Sequence, residues 1–148
     1  MKAPFLIGRL IFGGFFLYNG INHFIQRESL AKYAAAKNVA APELAVTVSG
    51  AALTLGGASI ILGIKPKIGT ATVAGFLAAV SPVMHDFWRT KDEGQKMSDM
   101  VNFSKNMALL GAVMAIMAID EPWSASVPVG KPGKIERMRR SLRRQIAA

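Results

Sequence analysis

The sequence predicts an all-α integral membrane protein, a four-helix bundle with a short basic amphipathic segment at its C-terminus. Four blocks of about twenty mostly apolar residues, 4–24, 44–64, 68–88 and 100–119, are each long enough to cross a bilayer as a helix. The second block carries no charged residue, which is difficult to explain in a soluble helix. We expect a membrane domain over residues 1–121, followed by a linker and a basic cytoplasmic tail over 122–148.

The first span follows Lys2, as a signal peptide would, but two features favour a retained helix. Arg9 interrupts the apolar run, and the small residues at 34–36 lie too far downstream for cleavage. Arg9 is close enough to the end of the span for its guanidinium to reach the membrane surface. We therefore expect Arg9 to snorkel.

The sequence of the first loop is compatible with two structures. Ser29 can cap a short interfacial helix that places Leu30, Tyr33 and Ala34 on one side, and a plain polar loop is the alternative. Pro42 suits the first turn of the second span, which is rich in glycine and serine and is expected to be a packing surface. The connection 65–67 is so short that the second and third spans must be antiparallel neighbours.

Polar residues recur at one level of the predicted bundle. Asn19, Asn22 and His23 have the i, i+3, i+4 spacing that places side chains on one helix face. The fourth span repeats this spacing near its start, and the third span ends in a further polar group. Polar side chains inside a membrane usually face the protein and find partners. The nine candidates for a pocket or ligand site are Asn19, Asn22, His23, His85, Asp86, Trp88, Asn102, Lys105 and Asn106.

The tail has helical spacing of its own, since Ile135, Met138, Leu142 and Ile146 recur among arginines. A basic amphipathic helix of this kind lies on anionic lipid, and a disordered basic tail is the alternative. The net charge of +9 is concentrated in this tail, so it bears on lipid contact and topology rather than on nucleic acid. The residues expected at the lipid surface are Arg137, Arg139, Arg140, Arg143 and Arg144.

The distribution of lysine and arginine predicts the orientation. Eleven of these residues fall on the side of the two termini and six on the other side. The positive-inside rule then places both termini in the cytoplasm. Every unusual polar residue consequently lies near the extracytoplasmic face.

Several distinctive motifs follow one another along the chain. They are Gly13-Gly14, Asn19-Gly20-Ile21-Asn22-His23-Phe24, Tyr33-Ala34, Ser49-Gly50, Gly56-Gly57 with Gly63, Phe76-Leu77, His85-Asp86-Phe87-Trp88, and Asn102-Phe103-Ser104-Lys105-Asn106 followed by Ala108-Leu109. Together these motifs resemble the DoxX family of small bacterial membrane proteins. The resemblance covers about residues 5–117 and implies a four-helix protein of the bacterial inner membrane. One relative resembles a subunit of a thiosulfate:quinone oxidoreductase and others are linked to oxidative stress, but most have no assigned reaction. The tail beyond Pro122 is outside the resemblance.

Three interpretations of the polar cluster remain open. In the first, Lys105 pairs with Asp86, directly or through His85, and the cluster only fixes helix packing. In the second, the cluster hydrogen-bonds a quinone or another small molecule beside Phe24, Phe87 and Trp88. In the third, His23 and His85 hold a metal ion or a haem. Two histidines and one carboxylate are few ligands, and no haem-attachment motif is present, so we expect neither metal nor haem.

These observations predict a redox-associated accessory membrane protein with a polar pocket at its outer face. The sequence does not assign a cofactor, and a quinone is one candidate. The absence of cysteine excludes thiol–disulfide chemistry and an iron–sulfur cluster held by this chain. The expected partner is the lipid bilayer, and a redox partner protein and further copies of the chain are candidates. The alternative is a non-enzymatic assembly or interaction subunit of a membrane complex. Catalytic residues are not assigned by the sequence.

Overall fold

The computed structural model describes residues 3–127, which form five helices and, within that range, no strand. The helices are α1 (Ala3–Ile25), α2 (Arg27–Ala36), α3 (Pro42–Leu62), α4 (Pro66–Met84) and α5 (Glu93–Met117). All except α2 are long and apolar enough to cross a membrane, so the predicted fold class is confirmed. The predicted amphipathic segment of the tail and its five arginines lie outside the described residues.

The four spans pack in the order α1, α3, α4, α5, and α2 lies against α3. The two outer members of this row, α1 and α5, do not pack along each other. The ends Ala3 and Val127 lie at one end of the bundle, here the terminal end, and α2 lies at the other, here the α2 end. The short turn before Pro66 makes α3 and α4 neighbours, as predicted, and Pro42 and Pro66 both occupy the first turn of their helices.

Glycines allow the closest helix pair, α1 and α3, to approach backbone to backbone. A Cβ atom at Gly57 would lie 2.5 Å from the backbone nitrogen of Leu17 and 2.7 Å from the carbonyl oxygen of Gly13. A Cβ atom at Gly14, one residue further along α1, would meet nothing within 4 Å. Close packing of small residues therefore holds this pair together, since lipid supplies no hydrophobic drive between helices.

The Gly57→Ala variant should be destabilised by about 2 kcal/mol, because the added methyl group collides with backbone atoms that cannot move aside. The matched Gly14→Ala change should be neutral or stabilising by up to about 1 kcal/mol, because alanine is the better helix former and the space is free. Thermal unfolding in detergent measures both changes. Equal effects of the two substitutions would show that α1 and α3 are not this close.

The first loop contains a helix, but Ser29 does not cap it. Helix α2 begins at Arg27 after the single residue Gln26, which makes no side-chain capping bond. The reason is that the backbone barely leaves helical conformation: the Gln26 amide still bonds the Asn22 carbonyl, and the Gln26 carbonyl accepts from Leu30. The chain bends from α1 into α2, so no new N-terminus exists for Ser29 to cap.

The expectation that Arg9 snorkels is wrong. Its side chain is only 2% exposed and donates to the carbonyl oxygens of Ser124 at 2.8 Å, Ala125 at 3.1 Å and Ile61 at 3.2 Å. The guanidinium also lies 5.9 Å from the ring centre of Trp123, which is buried. The chain after α5 turns back beneath the bundle and offers these carbonyls, so Arg9 finds partners inside the protein rather than at the membrane surface.

Candidate functional site

The polar side chains of α1 bond mainly within their own helix. Asn19 donates to the carbonyl oxygen of Phe15 at 2.7 Å, and Nδ1 of His23 lies 2.7 Å from the carbonyl oxygen of Asn19. Asn22 accepts a hydrogen bond from Gln26 at 3.0 Å. The Nδ1 of His23 is therefore the donor, and its Nε2 is left for another partner.

The predicted pairing of Lys105 with Asp86 is wrong. The Lys105 ammonium donates instead to Oδ1 of Asn102 at 2.9 Å, one turn earlier on α5. Asp86 accepts from Lys37, which follows α2, at 2.9 Å. A helical side chain leans toward the N-terminus of its helix, which directs Lys105 along α5 to Asn102. Lys37 meanwhile reaches the carboxylate from the first loop.

A second carboxylate, Asp99, is the centre of this ionic cluster. It is 1% exposed and lies in the second turn of α5. Lys37 donates to it at 3.1 Å, Thr90 at 3.2 Å and Gln95 at 3.1 Å. A buried carboxylate needs such partners because burial of an unpaired charge is expensive. We call the set Lys37, His85, Asp86, Thr90, Gln95 and Asp99 the Asp99 cluster.

The cluster shifts the pKa values of Lys37 and Asp86, which both lie outside the spans. Partial burial alone would lower the pKa of Lys37, but hydrogen bonds to Asp86 and Asp99 outweigh it and raise that pKa above its ordinary value. The hydrogen bond from Lys37 holds the pKa of Asp86 below its ordinary value, against a smaller effect of desolvation. Both shifts favour the charged forms, so Lys37 and Asp86 stay ionised together.

A cavity of about 220 Å³ lies beside this cluster, between all five helices. Five of the nine candidate residues line it, while Asn22, Asp86, Trp88 and Asn102 do not. Trp88 is 52% exposed and instead packs edge-on against Phe87 and Phe103 at the surface. The polar residues of the lining are Asn19, His23, Tyr33, His85, Lys105 and Asn106, and the rest of the lining is apolar.

His85 belongs to both the cavity and the Asp99 cluster. It lines the cavity, and its Nδ1 lies 3.5 Å from Oδ1 of Asp99. A carboxylate at Nδ1 favours the tautomer with the proton on that nitrogen and leaves Nε2 free. His85 is thus the residue that can exchange a proton with a cavity ligand and with the ionic cluster behind it.

Comparison with known proteins assigns a family to the region that contains the first four helices. The family model DoxX matches residues 5–86, which is more than half of the chain. This chain belongs to the DoxX family. No curated protein and no solved structure matches the sequence. Because the matched region ends at Asp86, it contains Lys37 and His85, whereas Asp99, Lys105 and Asn106 lie on α5 beyond it.

Sequence reasoning about this DoxX protein missed Lys37 and Asp99. The fourth apolar block was predicted to begin at residue 100, but α5 begins at Glu93 with Asp92 as its N-cap, whose side chain accepts from the Gln95 amide at 2.7 Å. One signal was available: Asp99, Asn102 and Asn106 have the i, i+3, i+7 spacing of a single helix face. No comparable signal marked Lys37, because its partners lie far away in the chain.

His23 and His85 both line the cavity and are the candidate metal ligands. Within residues 3–127 no group of three or more histidine, cysteine or acidic side chains is arranged to hold a metal ion. His23 is committed through Nδ1 to its own helix, and His85 through Nδ1 to Asp99. The lining supplies hydrogen-bond donors and aromatic rings, which suit an organic ligand better than an ion.

Proposed function

We propose that this DoxX protein is an accessory, redox-associated subunit of the bacterial inner membrane that binds a quinone in the cavity between its helices. The observation that carries the proposal is that His85 lines the cavity while Asp99 accepts from its Nδ1. A histidine oriented by a buried carboxylate is a common arrangement for proton transfer near neutral pH.

The other polar side chains of the cavity fit the oxygen atoms of a quinone. Lys105 and Asn106 come from α5 and can donate hydrogen bonds to one carbonyl group, and Nε2 of His85 can serve another. Phe16 and Phe76 contribute aromatic surface for the ring. A bound quinone supplies two-electron, two-proton chemistry, for which the electrons would come from a redox partner protein. In this scheme His85 passes each of the two protons to the quinone in turn and is reprotonated from water, and Asp99 positions the His85 ring.

Binding can be tested with the protein in lipid nanodiscs, titrated with ubiquinone-2. His85→Gln and Lys105→Met should each weaken binding about tenfold, which corresponds to roughly 1.4 kcal/mol and is a typical contribution of one hydrogen bond. Lys96→Met is the matched control, since Lys96 lies on the same helix but is not part of the cavity lining and pairs with Glu93 at the surface. No saturable binding, or equal losses in all three variants, would contradict the proposal.

A non-enzymatic assembly subunit is the second candidate, and one observation favours it. The Asp99 cluster satisfies its charges internally, through Lys37 and the hydrogen bonds of its neighbours, without any ligand. Such a network can fix the packing of α2 against α4 and α5 by itself. Under this alternative the His85→Gln variant should still assemble with its partners and lose no ligand.

The proposed site faces the extracytoplasmic side, with both termini in the cytoplasm. The excess of lysine and arginine at the terminal end supports this orientation. A reporter fused after Ala148 should be active in the cytoplasm, and one inserted after Lys91, between α4 and α5, should be active outside. The reverse pattern would place the cavity at the cytoplasmic face.

A further inference from the structure

The cavity is polar at one end and apolar at the other. Helices α1 and α4 run toward the α2 end whereas α3 and α5 run away from it, so the chain positions order the lining along the bundle. Asn19, His23, His85, Lys105 and Asn106 fall toward the α2 end. Phe16, Leu53, Leu77 and Leu109 fall toward the terminal end. A ligand that fits this gradient has a polar head and an apolar chain.

The lining also reaches the lipid-facing surface on one side. The two spans that do not pack along each other, α1 and α5, both contribute to the cavity wall. On α1 the lining includes Phe15, which is 46% exposed, and on α5 it includes the exposed Lys105. Helix α5 is also the least buried of the four spans. The cleft between α1 and α5, here the α1/α5 seam, therefore connects the cavity with the surrounding lipid.

Lys105 lies at this seam, and no acidic side chain of the described residues pairs with its positive charge. Among residues 3–127 its ammonium has one hydrogen-bond partner, the neutral Asn102, and forms no salt bridge. A cation in apolar surroundings attracts oxygen atoms that carry negative or partial negative charge. The carbonyl oxygens of a quinone head are such groups.

Helix α2 covers the α2 end of the cavity. Leu30 and Tyr33 of α2 contribute to the lining there, and α2 packs on α3 through the buried residues Ala31, Ala34 and Val46. Lys37 ties the end of α2 to Asp86 and to Asp99 of α5. A ligand arriving over the end of α2 would have to displace these ion pairs. A second, mostly apolar pocket of about 270 Å³ between α2, α3 and α4 adjoins the cavity and shares His23, Leu30 and Tyr33 with it.

We infer that the α1/α5 seam is the route by which the ligand reaches the cavity, and that the ligand is a chain-bearing quinone dissolved in the bilayer. The inference rests on the proposed function and adds the route and the ligand class to it. The head passes Lys105 and stops among the polar residues, and the isoprenoid chain remains among Phe15, Leu109 and the lipid. The seam thus selects for amphiphiles over small water-soluble molecules.

A chain without cysteine allows the seam to be closed selectively. The variant Phe15→Cys/Leu109→Cys places one thiol on each side of the seam, and a short reducible cross-linker can join them. In nanodiscs containing ubiquinone-10, cross-linking should slow quinone association at least tenfold, and reduction should restore the rate. The same molecule before and after cross-linking is its own control for effects of the two substitutions.

A second pair controls for cross-linking as such. The Cβ position at Gly56 lies 3.8 Å from Cβ of Thr72, a distance suited to a bridge between α3 and α4. Bridging Gly56→Cys/Thr72→Cys should leave the association rate unchanged. An unchanged rate after closing the α1/α5 seam would overturn the inference alone. No saturable binding by the unmodified protein would overturn the proposed function with it.

Photolabelling provides a measurement that needs no substitution. A quinone with a photoreactive group on its chain should label peptides of α1 and α5 in the unmodified protein. Labelling confined to α2 and α3 would show that the chain leaves the cavity elsewhere and would overturn the seam as the route.

Discussion

The Lys37→Met variant should lose about 3 kcal/mol of stability in detergent, because Asp99 would remain buried without its cation. The Asp99→Asn change should also destabilise, since it leaves Lys37 with one carboxylate fewer and weakens the support of His85. The double variant should recover part of the loss, because the buried charge of Asp99 is removed together with its cation, while the more exposed Asp86 still loses Lys37. Chemical unfolding of the two single variants and the double variant measures the coupling.

Lys32→Met is the matched control for this prediction. Lys32 also lies on α2 and pairs with Glu28 at 2.7 Å, but both side chains are largely exposed. A surface pair of this kind contributes less than about 1 kcal/mol. Strictly additive losses for Lys37 and Asp99, or an equal loss for Lys32, would show that the Asp99 cluster is not a buried ionic network.

The pH dependence of stability should show the same cluster. The pKa of Asp86 is lowered, so its contribution is present above the ordinary value of 3.8 and is lost as the pH falls through the still lower folded value. The pKa of Lys37 is raised, so its contribution is complete below 10.5 and is lost as the pH rises through the folded value. The stability difference between the native protein and Lys37→Met should therefore shrink as the pH falls toward the first limit and as it rises above the second.

The second large effect is expected at the terminal end of the bundle. Arg9→Met should release the chain after α5, because three carbonyl oxygens lose their donor at once. Trp123, which is 3% exposed and packs edge-on against Phe5, should become solvated. In a Trp88→Phe background Trp123 is the sole indole, so its emission should shift to longer wavelength.

Arg27→Met is the control for Arg9, since Arg27 also lies on the N-terminal half of the chain but makes an exposed pair with Glu43. It should leave the emission of Trp123 unchanged. Emission that stays at short wavelength in Arg9→Met would mean that Trp123 is held by packing alone and that the carbonyl contacts contribute little.

Hydropathy was sufficient to predict the spans because membrane helices must satisfy their own backbone and therefore need long apolar runs. The spacing of Asn19 with His23, and of Asn102 with Asn106, predicted polar faces, and residues of both faces line one cavity. Helical periodicity reports which side chains share a face. It does not report which face of a neighbouring helix lies opposite.

The partners of the charges were not predictable in the same way. Lys37 lies 62 residues from Asp99 in the chain, and they meet because α2 packs on α3, α3 on α4 and α4 on α5. Arg9 similarly depends on carbonyls more than 110 residues away. In each case the sequence shows a charged residue near the end of a helix. Snorkelling or solvation accounts for such a residue without any distant partner. Long-range contacts decide whether the charge is buried instead.

The central claim, that the cavity lined by His85 holds a quinone, is tested most directly by what the protein carries from its own membrane. Quinones extracted from protein purified in mild detergent can be quantified by mass spectrometry per mole of chain. We expect close to one quinone per chain in the native protein and in Lys96→Met, and several-fold less in His85→Gln and Lys105→Met. Quinone no higher than in an unrelated four-span protein prepared in the same way, and equal in all variants, would contradict the claim.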